Sequence, residues 1–240
     1  MSTWKTIVAA AFAILASAAP QLARAQSYSV PAAVAGPDGG EEYSSGFTFR
    51  PFGWSADGKF AWMQSRVEEG RGGTEYTFII YDAVEDTTVY THSDNSFDWG
   101  TDVEASEAEA WKRNGDDVST ALAKNGIVQS SSIVISAFPL QRNGDRYTAA
   151  LSITNIPDSN EGDDYRVQAY TLTVTSRNRG SKVVTHKDKL GVASVEIAGY
   201  IASPVEPRIL VVVSESKRGF EGYEKDLFFY GAHLGVGFKK

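Results

Sequence analysis

What most limits this chain is its punctuation. From about Tyr43 onward, short runs rich in Val, Ile, Thr, Tyr and Phe are separated by pairs such as Asp57-Gly58, Asn143-Gly144 and Arg179-Gly180. Glycine accepts positive φ, and Asn or Asp can bond neighbouring backbone, so these pairs suit tight turns. β-Branched and aromatic side chains fit a pleated surface, and the pattern predicts a mainly β chain of antiparallel meander sheets. Strands are expected at 48–54, 60–67, 76–82, 87–92, 133–138, 147–154, 167–175, 183–186, 194–201, 209–214 and 227–234. One central segment breaks the rule. Residues 103–124 place Trp111, Val118 and Leu122 on one face at helical spacing, with acids early, basic residues late and Asn125-Gly126 as a C-terminal cap. Asn114-Gly115 is expected to split this segment into two short helices, and its apolar face to pack on a sheet.

The first 25 residues read as an export signal. Lys5 and the amino terminus supply positive charge, residues 7–19 are apolar or small, and Ala23-Arg24-Ala25 has the small-x-small pattern that signal peptidase cuts, so cleavage is expected between Ala25 and Gln26. The apolar run is shorter than the roughly 20 residues a membrane-crossing helix needs. No cysteine is present, which excludes a cysteine-linked lipid anchor and a disulfide framework; a cysteine-free exported chain fits a bacterial periplasm. Residues 26–42, rich in Pro, Ala and Gly without periodicity, read as a flexible lead-in to a single β-rich domain over 43–240. Lys5 and Arg24 leave with the signal, which takes the formal charge from −7 to −9 and argues against nucleic acid as a partner. No stable membrane insertion is expected, because the apolar C-terminal run 226–234 is one strand's worth and far short of a barrel.

The most distinctive stretch is Phe52-Gly-Trp-Ser-Ala-Asp-Gly-Lys-Phe-Ala-Trp62. Ser55 and Asp57 can bond local backbone, Gly58 tolerates positive φ, and Phe60 and Trp62 then alternate onto one face. Tyr81-Asp82 ends the next strand, and Val84 to Thr87 turn into a third. At these residues the chain resembles the blade repeat of TolB-type β-propellers, in which a W/F-S-x-D-G-K stretch opens one strand and an I-Y-x-x-D stretch follows. A second, blade-like unit occurs at Ala202-Ser-Pro-Val-Glu-Pro-Arg-Ile-Leu-Val-Val-Val213, where Val205-Glu206-Pro207 replaces Asp-Gly with one extra residue. The resemblance implies antiparallel sheets resembling propeller blades; a β-sandwich with an inserted helix is the alternative. Signal, early motif, central helix and a late Ser216–Gly222 stretch together resemble a family of bacterial secreted proteins of unknown function. That resemblance implies a fold and a compartment and brings no catalytic residues.

Reactive constellations are sparse. His92, His186 and His233 each fall near an expected strand end without metal-ligand spacing. No G-x-S-x-G is present, and Ser130-Ser-Ser132 precedes a strand in a loop. Acidic stretches 94–102 and 158–164 cluster oxygens, but the first lacks the glycine an EF-hand turn requires and the second lacks a full ligand series. No metal and no cofactor is expected. Asp98-Trp99, with Asp102 nearby, places an aromatic beside carboxylates, which suits a sugar or a cation, or else a tryptophan tucked over the following helix. Arg218-Gly-Phe-Glu-Gly222 brackets Phe220 and Glu221 with glycines and reads as a sharp loop that projects Phe220 into a pocket or toward a partner.

The expectation is a soluble periplasmic binding or interaction protein of the cell envelope, non-catalytic, recognising an envelope protein or a glycan through Asp98, Trp99, Asp102, Arg218, Phe220 and Glu221. The alternative is a periplasmic hydrolase using loop carboxylates Asp98, Asp102 and Glu104, since paired carboxylates can act as acid and base on a glycosidic bond. Oligomeric state is left open.

Overall fold

The run Ile209-Leu-Val-Val-Val213 shows no alternation, and a strand of that kind needs cover on both faces. The computed structural model, which describes residues 27–35, 47–68, 72–100, 102–157, 165–188, 190–218 and 223–240, supplies that cover. The expected signal with its cleavage point between Ala25 and Gln26, the latter part of the lead-in (36–42), and the acidic loop 158–164 lie outside the described residues.

A first sheet contains β1 (Thr48–Trp54), β2 (Lys59–Val67), β3 (Thr74–Asp82), β4 (Thr87–Asn95) and β5 (Val128–Gln129), in the order β4-β3-β2-β1-β5. Helix α1 (Glu107–Lys124) lies between β4 and β5 in sequence and follows a 3-10 turn at Ser96–Trp99. The second sheet is a meander of β6 (Leu140–Arg142), β7 (Asp145–Pro157), β8 (Tyr165–Ser176) and β9 (Gly180–Lys187). The third comprises β10 (Ser194–Ala202), β11 (Arg208–Arg218) and β12 (Tyr223–His233), with β11 in the centre. Every strand pair is antiparallel. The mainly β, meander-sheet class read from the sequence is the fold.

The last sheet in sequence is the middle layer in space. On one of its faces Leu210, Val212 and Phe229 pack with Phe49, Phe60 and Trp62 of the first sheet. On the other, Ile209, Val211, Val213 and Tyr230 pack with Tyr170, Leu172 and Val174 of the second. Successive side chains of β11 therefore serve two different cores, which explains its unbroken apolar run. The opposite face of the first sheet, with Phe52, Met63, Phe78 and Ile80, is covered by Val118, Ala121 and Leu122 of α1. The layers run helix, first sheet, middle sheet, second sheet.

Helix α1 is one element and not two. Its start is capped by the Ser106 hydroxyl, which accepts from the Glu109 N–H, and its end by Asn125 with Gly126 at φ 66°. The helix passes through Asn114-Gly115 because packing uses both residues. Asn114 donates through Nδ2 to Ala110 O (2.9 Å) and to Asp94 Oδ2 (2.8 Å), while a Cβ at Gly115 would lie 3.0 Å from the Trp111 ring. Trp111, Val118 and Leu122 do face the sheet.

Two further expectations are corrected. Residues 133–138 form no strand: their backbone pairs with β10 through the single Ser136–Tyr200 bridge, beside a bulge at Ile197/Gly199 that interrupts regular pairing. Within the lead-in, 27–35 is docked. Tyr28 is buried and donates to Ile127 O (2.7 Å), and buried Val34 donates its N–H to Phe49 O (2.9 Å). Two apolar anchors suffice without any periodicity.

The two blade-like turns meet. Ser55 N–H donates to Lys59 O (2.8 Å), and Ser203 N–H donates to Arg208 O (2.9 Å), one residue further along, matching the extra residue in the second motif. Arg208, buried, donates to Glu206 Oε1 (2.7 Å) and to Ala83 O (2.9 Å), while Ala83 N–H donates to Gly58 O (3.1 Å). This chain of bonds fastens the first sheet to the middle one.

Candidate functional site

The middle sheet has three strands, whereas its neighbours have five and four. The outer edge of β12 therefore ends between two broader sheets and leaves a cleft of about 470 Å³. One wall, from the first sheet, presents Trp62, Gln64, Ile79 and Tyr81; the other, from β9, presents Thr185 and Lys187. Consecutive residues Asp226, Leu227, Phe228, Phe229 and Tyr230 line its floor. Neighbouring side chains of a strand point to opposite faces, so a cleft touching all five runs along the strand's edge.

Polar groups converge here with specific partners. At one end, the Asp86 carboxylate accepts from the Tyr81 hydroxyl (2.8 Å) and from Gly231 N–H (2.7 Å). Burial pushes the Asp86 carboxyl up, while those two donors favour its ionised form. The turn carrying Asp86 approaches β12 so closely that a Cβ on Gly231 would lie 1.9 Å from Ala83 O. At the other end, Asp226 is paired with Arg66 and with Lys217 (2.8 Å). Desolvation opposes ionisation there, but the bonds from Lys217 and Arg66 outweigh it and hold the carboxyl below its usual range. Lys187 holds its ammonium 5.7 Å from the centre of the Tyr230 ring.

Behind the cleft lies a buried polar chain. Tyr170 donates to Glu215 Oε1 (3.0 Å), and the Tyr170 and Tyr230 hydroxyls are 2.6 Å apart. A phenol has one proton to give, so with Tyr170 committed to Glu215, Tyr230 donates to Tyr170. Burial pushes the Tyr230 phenol up to about 12, raises that of Tyr170, and raises the Glu215 carboxyl.

The residues singled out from sequence lie elsewhere or do other work. Trp99 is buried: it stacks on Tyr76 (5.3 Å, 12°), the Arg113 guanidinium lies 5.2 Å from its ring, and its Nε1–H donates to Asp94 Oδ1 (2.9 Å). With the ring buried under these contacts, it offers no platform for a sugar. Asp98, Asp102 and Glu104 are exposed between β4 and α1, on the side of the first sheet away from the cleft core. Arg218 ends β11 and is exposed, while Phe220 and Glu221 lie outside the described residues. Among the described residues no group of three His, Asp or Glu is placed to hold a metal ion, and no helix is long and apolar enough to cross a membrane.

Sequence reasoning missed Asp86, Lys187, Tyr170 and Glu215. Asp86 reads as one polar residue of a turn; its positive φ of 53° leaves no mark in a sequence without a glycine there. A second groove, about 700 Å³, runs between segments 29–35 and 129–135, walled by Pro31, Val34, Ile133 and Ile135 with serines and no titratable side chain. Ligand sites combine apolar walls with a few convergent polar groups, and the β12 cleft has that composition.

Comparison with known proteins finds nothing similar: no family model, no curated protein and no solved structure matches the chain.

Proposed function

We propose that this chain is an exported binding protein of the bacterial cell envelope, non-catalytic, and that it takes its ligand, an envelope protein or a glycan, in the cleft along β12. The observation that carries this reading is the commitment of the cleft's carboxylates: Asp226 is held by two cations, and Asp86 by a phenol and a backbone N–H. Carboxylates so engaged build a shaped recognition surface between an aromatic wall and a polar one. The expected signal and the absence of cysteine support the compartment.

The test has two parts. Amino-terminal sequencing of protein recovered from a periplasmic fraction should begin at Gln26. Titration with envelope oligosaccharides and soluble envelope proteins should change the tryptophan fluorescence of the intact chain, and the change should vanish in Trp62→Phe. A response that survives Trp62→Phe would move the ligand elsewhere, and no response to any component would remove the binding reading.

One observation favours a hydrolase as second reading. The same cleft holds Asp86, raised by burial, and Asp226, lowered by its cations, and carboxyls pushed apart in this way can divide acid and base roles. Glycosidase activity on envelope polysaccharide that is lost in Asp86→Asn would establish it.

A further inference from the structure

Edge strands are normally blunted, because unpaired N–H and C=O groups invite another strand. In β12 the odd-numbered residues face outward: Gly231 sends its N–H to Asp86, Lys225 O accepts from Arg66, and His233 O accepts from Lys182. The pairing with β11 runs from Tyr223 to His233 without a register shift, so Leu227 and Phe229 face outward too. Among the described residues nothing hydrogen-bonds to the outward N–H and C=O of these two. The edge is thus engaged by side chains at 225, 231 and 233, and is open over Leu227 and Phe229, where it floors the cleft.

We infer that the cleft is the vacant place of a fourth strand in the middle sheet, and that it receives an extended peptide segment of a partner protein. This rests on the cleft being the ligand site and names its ligand class. Two donors and two acceptors, from Leu227 and Phe229, would pair with the incoming main chain, as in strand addition to other sheet edges. The Ala83–Asp86 turn stops the peptide at one end and Arg66 at the other. Alternate side chains of the peptide would face the two walls. Residues toward Trp62 and Ile79 should be apolar, and those toward Thr185 and Lys187 polar or acidic, because Lys187 makes no ion pair among the described residues.

The test uses amide hydrogen exchange by NMR on the full chain with three probes: acetyl-Val-Glu-Val-Glu-Val-amide, its lysine counterpart, and the glutamate peptide N-methylated on alternate backbone nitrogens. The glutamate peptide should slow exchange at Leu227 and Phe229 at least tenfold. The lysine peptide should bind at least tenfold more weakly, Lys187→Glu should reverse that order, and N-methylation of the pairing edge should abolish protection. Unchanged exchange at both amides, or equal binding of the N-methylated peptide, overturns the inference. So does slow exchange at both amides before any peptide is added, which would mean that the chain fills the place itself, and so does protection that grows with protein concentration alone, which would mean a second copy. An oligosaccharide such as chitotetraose that perturbs Trp62 and Tyr230 but leaves both amides fast overturns the peptide and keeps the cleft. Silence of all cleft residues to every probe overturns both.

Discussion

The two faces of the middle sheet reach the same end, a buried interface, by different chemistry. Toward the first sheet the contact is aromatic: Phe229 stacks on Phe49 (5.3 Å, 23°) and meets Trp62 at 4.7 Å, with Phe60 and Trp54 packed behind. Toward the second sheet it is aliphatic, with Ile209, Val211, Val213, Leu172 and Val174 surrounding the hydrogen-bonded chain from Tyr230 through Tyr170 to Glu215. Ring shape fixes the first alignment. On the second face, where small aliphatic residues allow sliding, directional hydrogen bonds fix it instead.

The contrast can be broken by mutation and by pH. The largest effect belongs to Phe229→Ala, which removes the ring shared by Phe49, Phe60 and Trp62 and should cost about 3–5 kcal/mol in denaturant unfolding; a loss below about 1.5 kcal/mol would mean that the aromatic face collapses into the hole. Next comes Tyr170→Phe, which changes little shape but strands the Tyr230 hydroxyl and the Glu215 carboxyl, at about 1–3 kcal/mol. A neutral result would place the specificity of that face in its aliphatic packing. Alkaline pH should act on the same face. The Tyr170 and Tyr230 phenols are raised in the folded protein, whereas in the unfolded chain they titrate near pH 10, so the unfolded state sheds these protons first. Their contribution is intact below about pH 10 and drains as pH rises toward the folded value of about 12 for Tyr230. The denaturant midpoint should fall across that window, less steeply in Tyr170→Phe, and an identical slope would detach the tyrosines from the effect. The smallest change is Ser214→Ala. Ser214 lies on the first-sheet face with Leu210 and Val212, and its buried hydroxyl has no partner among the described residues, so its removal should shift stability by no more than about 0.5 kcal/mol.

Strands and turns were legible because each is dictated locally. Asn143-Gly144 takes positive φ at both residues, as its hairpin requires. Trp111, Val118 and Leu122 announced their face by spacing alone. What failed locally depends on packing: Asp94 holds the Asn114 amide, Gly115 leaves room for the Trp111 ring of the same helix, and residues 133–138 make a single bridge to an edge that is bulged. The cleft was illegible for a stronger reason. Trp62, Asp86, Lys187 and Phe229 come from all three sheets, and nothing in the sequence says which edges will lie together. Trp99, which carried the most suggestive local pattern, spends it on Tyr76, Arg113 and Asp94 inside the fold.

The order of the layers sets a schedule for synthesis. The first sheet closes with β5 at Gln129, the second is finished at Lys187, and only then does the ribosome deliver β10 to β12, the layer that must come between them. Until Ser194–His233 emerges, Phe60, Trp62, Tyr170 and Leu172 lack the layer that covers them, and two sticky sheets face each other without their filling. A chain built in this order folds well only if its last three strands arrive before the earlier sheets find each other or a neighbour. The export proposed above, an extended thread crossing a membrane with folding deferred until the last strand is through, would meet that demand.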